Sequence, residues 1–246
     1  MSAARKVVRH AVANAIVLAV TTGAGTVAAQ SGSGAGSARE AAPIDVTGYW
    51  VSVVFEDWKF RMVTADRGVF DGIPLNAEGQ RVGEAWDPAV DRASGDLCRA
   101  YGAPAIMRMP GRFRIEWEDD DTLRIDTDQG EQTRLLRFGQ TSADQRSRQG
   151  HSVAEWQVAP DGGGTLKVVT DTLLPGYMRK NGAPYSERTQ MTEYFDVHAL
   201  PNGDAYLSIT TRVIDPVYFT GPAMSSTDLR KLPDDRGWET TPCQVQ

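Results

Sequence analysis

A glutamate held in apolar surroundings can carry protons near neutral pH, and two stretches of this chain place a glutamate on an apolar face. In "MTEYFDV" (191–197) an extended backbone sends alternate side chains to opposite faces, so Met191, Glu193, Phe195 and Val197 point the same way. The same alternation through "TGYWVSVVFEDWKFRM" (47–62) turns Trp50, Val54, Glu56, Trp58, Phe60 and Met62 inward. Asp215 lies two residues beyond Val213, which also reads as inward. An enclosed carboxylate without a partner is costly, so it must be neutralised or meet a cation; Arg108, Arg134 and Arg179 are the candidates. Glu193 and Glu56 are therefore the candidate acid and base if the chain is an enzyme, suited to a lyase, isomerase or hydrolytic step.

Other reactive arrangements are incomplete. "GHSVA" (150–154) has Ala154 where a nucleophile elbow needs glycine, and it leads into a strand and hairpin instead of a helix. Asp196 and His198 follow in the order of a triad, but two residues apart on one strand they cannot form one. His151 and Glu155 share a strand face, yet a third nitrogen or sulfur ligand is missing, and Ala154, Trp156 and Val158 as the inward set turn His151 outward. No metal site is expected, and without a dinucleotide or phosphate-loop glycine pattern no cofactor is implied. Two longer apolar loops remain. "YGAPAIMRMPG" (101–111) carries Arg108, and "LLPGYMRKNGAPYSE" (173–187) carries Tyr177, Arg179 and Tyr185. Loops of this length on a rigid sheet commonly bind ligands, so these residues are expected to lie over an opening into the interior.

The elements that must position these groups are mostly strands. "EDDDT", "TDQGEQ", "APDGGGT" and "LPNGDA" separate short alternating runs, which predicts an all-β, antiparallel meander closed into a lipocalin-like barrel or a sandwich. "STDLRKL" reads as a short last strand. One short helix is expected near 76–87, capped by Asn76, with Val82 and Trp86 on one side. Register around "LPNGDA" can be tested against burial. A two-residue turn at Asn202-Gly203 would set Phe195 against Thr210 and Val197 against Ser208. A three-residue loop, Pro201-Asn202-Gly203, pairs Val197 with Leu207, Phe195 with Ile209 and Met191 with Val213, and sets Glu193 against Thr211. The second register agrees with burial and places Glu193 inside.

The N-terminus has the form of a secretory signal peptide over residues 1–29. Arg5, Lys6 and Arg9 precede the apolar "AVANAIVLAV", and "TVAAQ" supplies small residues at a cleavage point after Ala29. A transmembrane anchor fits less well, because Thr21, Thr22 and Gly23 break the apolar run. Residues 30–44, rich in Gly, Ser and Ala, read as a flexible linker, leaving 45–246 as a single β-rich domain, periplasmic or secreted. Loss of the signal's three cations would take the net charge from −6 to −9, which argues against nucleic acid and anionic membrane surfaces as partners. The two cysteines of an exported chain, Cys98 and Cys243, most simply form one disulfide; a metal site or a reactive thiol is the less simple reading.

"TGYWVSVVFEDWKFRMVTADRG", "CRAYGAPAIMRMPGRFRIEW", "YSERTQMTEYFD" and "DPVYFT" together resemble a family of secreted bacterial proteins of unknown function, over most of 46–243. "GHSVAEW" followed by "GTLKVVT" is similar, more distantly, to exported proteins reading Gly-His-Ser-x-Gly-x-Trp, from which Ala154 departs. "GYW" (48–50) resembles the Gly-x-Trp opening of lipocalin-like barrels. These likenesses imply export and carry over no catalytic residue. The leading expectation is a barrel-like protein that binds a small apolar or amphipathic molecule in an aromatic-lined cavity, with Trp50, Trp58, Arg108, Tyr177, Arg179, Tyr185 and Asp215 as its walls. The alternative is an enzyme that uses Glu193 and Glu56 in the same cavity.

Overall fold

The computed structural model describes residues 36–139, 143–160 and 162–245. The signal-like segment 1–29 lies outside them. In chain order the elements are β1 (Gly48–Val53), four short helices α1 (Trp58–Met62), α2 (Ala77–Glu84), α3 (Pro88–Ser94) and α4 (Ala103–Ile106), then β2 (Arg112–Asp119), β3 (Thr122–Thr127), β4 (Thr133–Phe138), β5 (His151–Val158) and β6 (Gly164–Asp171). A two-stranded ribbon, β7 (Gly176–Tyr177) with β8 (Pro184–Tyr185), precedes β9 (Gln190–Ala199), β10 (Ala205–Ile214) and β11 (Ala223–Leu232).

Nine strands close into a barrel in the order β1-β11-β10-β9-β6-β5-β4-β3-β2. Closure leaves no unpaired edge, which is how an all-β chain avoids exposing a row of free backbone donors. All pairs are antiparallel except β4 with β5, where Leu136 to Phe138 run alongside Ser152 to Ala154. A parallel pair needs a crossover, so here the chain departs from a pure meander. The β9–β10 hairpin has the register that burial demands: Val197 faces Leu207, Phe195 faces Ile209, and Glu193 faces Thr211. Gly203, at φ 89°, takes the left-handed position of that turn.

Side chains fill the barrel. Trp50, Phe113, Leu123, Leu136, Phe195 and Leu207 are all buried to 1% exposure or less. Each such side chain contributes about 1.5–3 kcal/mol of burial free energy. The end that carries the β5–β6 and β9–β10 hairpins is also covered by residues 36–47, where Ile44 and Val46 pack on the core and Trp156 Nε1 donates to the Ala38 carbonyl at 2.8 Å. The expected linker 30–44 is therefore anchored from residue 36 onward; Ile44 and the backbone of Ala38 and Arg39 give it partners that composition does not reveal.

The opposite end is capped by the helices and the long loops. α2 lies within the expected span, and Asn76 accepts from the Gly79 N–H at 2.9 Å. Two other expectations fail here. The strand beginning at Gly48 ends at Val53, and the chain turns through Asp57, at φ 47°, into α1. On a helix the alternation no longer holds: Trp58 is 64% exposed and Met62 60%, while Arg61 is buried. The last strand runs to ten residues because it pairs with both β10 and β1. Cys98 and Cys243 form a disulfide that ties the C-terminal tail to the cap, with their Cα atoms 5.1 Å apart.

Candidate functional site

The carboxylate inside the barrel belongs to an ion pair. Glu193 and Arg134 are both fully enclosed, and the guanidinium clasps the carboxylate through Nη1–Oε1 at 3.1 Å and Nη2–Oε2 at 2.6 Å. β4 supplies Arg134 and β9 supplies Glu193, while Thr170 on β6 and Ser152 on β5 bond to each other beside them, 2.8 Å apart. A forked pair of this kind satisfies both charges at once, and it is held by four strands far apart in sequence. A substrate cannot reach Glu193 without opening the barrel. Glu56 sits elsewhere, beyond the end of β1, where it pairs with Arg61. The two carboxylates thus serve different arginines and do not form one acid–base site.

Other expected wall residues are also taken up in packing. Trp50 lies in the core with its Nε1 donating to the Val46 carbonyl at 3.0 Å. Trp58 faces solvent on α1. Asp215 accepts hydrogen bonds from the Thr189 hydroxyl at 2.6 Å and from the backbone N–H groups of Ser186, Val217 and Tyr218, so it fastens two cap loops together. Burial raises its pKa, but these donors outweigh burial and leave it below the ordinary aspartate value.

Tyr177 and Tyr185 are buried within the cap, in the wall of a groove of about 270 Å³ on its surface, instead of standing over an opening into the interior. Tyr177 meets Trp86 edge-on at 5.7 Å, lies under the Arg99 guanidinium and donates to Asp91 at 3.3 Å. The Tyr185 ring rests against Gly102 and Gly176, where any Cβ would collide with its hydroxyl, so the glycines of the two loops let them pack closely around it. Burial drives both phenols well above their usual pKa. His151 corrects a third expectation. It lies on the strand face opposite Ala154, as alternation requires, but that face is covered and His151 is 5% exposed. Glu155 is drawn to Lys167 at 2.7 Å, and among the described residues no three metal-ligating side chains converge.

Arg108 and Arg179 do come together. They line a cleft of about 270 Å³ at the capped end. Its apolar wall is Phe60 and Met62 from α1, Met109 and Pro110 from the turn before β2, and Met178 from the ribbon loop. Four cations complete it: Arg61, Arg108, Arg179 and Lys180, with no carboxylate in the lining. Two of the four have carboxylate partners outside the lining, Arg61 with Glu56 and Arg108 with Asp57 at 2.8 Å. Arg179 lies over the Phe60 ring at 4.6 Å and donates to the Asp71 carbonyl, while Lys180 lies over the Tyr101 ring at 4.9 Å. Arg61 Nη2 and Arg108 Nη1 are buried without any hydrogen-bond partner. An unmade bond of this kind costs about 1–3 kcal/mol. Burial, and then the neighbouring Arg108, lowers the pKa of Arg179; burial lowers that of Arg61, with Arg108 adding to the effect and Glu56 opposing it.

A wider groove of about 420 Å³ runs between residues 39–47 and the Trp117 and Trp156 rings at the other end. It is shallower, and Trp156 is already committed to Ala38. The cap cleft is the better-formed site. Alternation predicts Phe60 and Met62 facing the barrel and Arg61 facing away; because Trp58–Met62 is helical, Arg61 is instead the buried residue of α1 and all three line the cleft. No model of a known protein family matches the chain, and no curated protein matches it.

Proposed function

We propose that this chain is an exported β-barrel protein that binds a small amphipathic molecule in the cleft at its capped end. The observation that carries the proposal is the contrast between a barrel filled with its own side chains and a 270 Å³ cleft walled by Phe60, Met62, Met109 and Met178 beside four cations, two of which have no carboxylate partner. Apolar walls with a few polar groups are the usual form of a small-molecule site, and methionines adapt to varied ligand shapes. Export is supported by the signal-like residues 1–29 and by the Cys98–Cys243 disulfide, a bond that persists in oxidising compartments. Among the described residues no helix is long and apolar enough to cross a membrane. Binding is favoured over catalysis because both candidate carboxylates, Glu193 and Glu56, are engaged by arginines and neither lines the cleft.

Extraction of purified protein, followed by mass spectrometry of the released small molecules, tests this reading. Wild type should release an amphipathic compound, and Ala65→Trp, which fills the cleft from its lining, should release much less at unchanged thermal stability. Equal retention by both proteins would place the ligand elsewhere.

A further inference from the structure

We infer that the cleft selects its ligand by an anionic head, a carboxylate or phosphate ester carried on an apolar body, bound between the Arg61–Arg108 pair and the Arg179–Lys180 pair. The inference rests on the binding role proposed above and adds the charge class. Four cations line the cleft and only two have carboxylate partners, Glu56 and Asp57, so the site keeps two positive charges within a chain whose net charge is −6. Those partners leave donors over: Arg61 Nη2 and Arg108 Nη1 have no acceptor, and the Arg61 side chain is only 2% exposed. A guanidinium with one nitrogen on a carboxylate and another unused has capacity for a second oxyanion. Burial and Arg108 also disfavour charge on Arg179, a cost that a bound anion would relieve.

The apolar body has its own place. Arg179 packs its guanidinium on Phe60, so charge and apolar wall are joined at one residue, and Met109 and Met178 continue the wall from there. A recess of only about 30 Å³, which shares Arg108, Met178 and Arg179 and is also lined by Asp57, adjoins the cleft and is too small for the apolar body, so that body must lie along Phe60, Met62, Met109 and Met178. No carboxylate lines the main cleft, so a cationic amphiphile of equal length would meet the same wall with the wrong charge.

Calorimetric titration of the full chain with decanoate, decanol and decyltrimethylammonium, at low and high salt, separates the two claims. The inference expects decanoate to bind about tenfold or more tightly than either other probe, and to weaken as salt rises. In the Arg179→Gln/Lys180→Gln variant the ratio of decanoate to decanol affinity, about tenfold or more in wild type, should fall to about one. Equal binding of all three probes would overturn the anion preference and leave the cleft as a binding site. Failure of every probe to bind wild type would overturn the inference and the binding role together. If the variant does not fold, the probe series and its salt dependence on wild type still decide.

Discussion

At the scale of single residues, the placement of Glu193 follows from register alone, since Phe195 and Ile209 cannot share the core unless the glutamate joins them. Its partner does not follow. Arg134 lies on β4, separated from β9 in the sheet by β6 and β5, and no spacing in the sequence links the two; the curl of the barrel brings them together. Their pairing also decides what a mutation should do. Glu193→Gln keeps the shape and leaves the enclosed Arg134 charge without a counter-ion, so denaturant unfolding should show a loss of about 3–5 kcal/mol. Arg134→Met with Glu193→Leu should recover much of that loss, because a buried pair must first offset its own desolvation. A loss below about 1 kcal/mol for Glu193→Gln would contradict the enclosed pair.

At the scale of elements, the strands were legible and most of the cap was not. Alternation over eight to ten residues, bounded by Gly, Pro, Asn and Asp turns, marks β2, β5, β6, β9 and β10. α1 and α4, at five and four residues, are too short to show a helical period, and their stability comes from tertiary contacts. α3 did carry a readable signal, Asp87 and Pro88 at its start and Gly95, at φ 74°, just past its end. Between strands, Asp126 on β3 meets Arg114 of β2 at 2.6 Å, Arg124 at 2.9 Å and the Thr133 hydroxyl of β4 at 2.6 Å. Burial raises its pKa, but Arg124, Thr133 and Arg114 together bring it below its ordinary value of 3.8. The unfolded chain therefore takes up the proton first as pH falls. The contribution of Asp126 to stability is complete above the unfolded pKa and is lost as pH drops through the folded one. The stability advantage of wild type over Asp126→Asn should be constant from about pH 7 to about pH 5 and shrink below that. A gap that widens on acidification would reverse the assignment.

At the scale of the whole molecule, the barrel is packed with its own side chains and the candidate cleft lies at its capped end. Fold class could be read from the sequence because every turn signal acts locally. The cleft could not, since it is assembled from residues 60–65, 105–110 and 178–180, which only the cap brings together. Arg108 and Arg179 were visible as cations in apolar loops; what they face was not. The methionines report on both regions. Met62, Met109 and Met178 line the cleft, whereas Met191 is fully enclosed at the start of β9, two residues before Glu193, in the cluster with Val213 and Phe219 where the barrel meets the cap. With protein labelled at the methionine methyl carbons, titration with decanoate should shift the signals of Met62, Met109 and Met178 and leave Met191 in place. A shift at Met191, with the three cleft methyls unmoved, would put the ligand in the enclosed interior instead of the cleft and contradict the account.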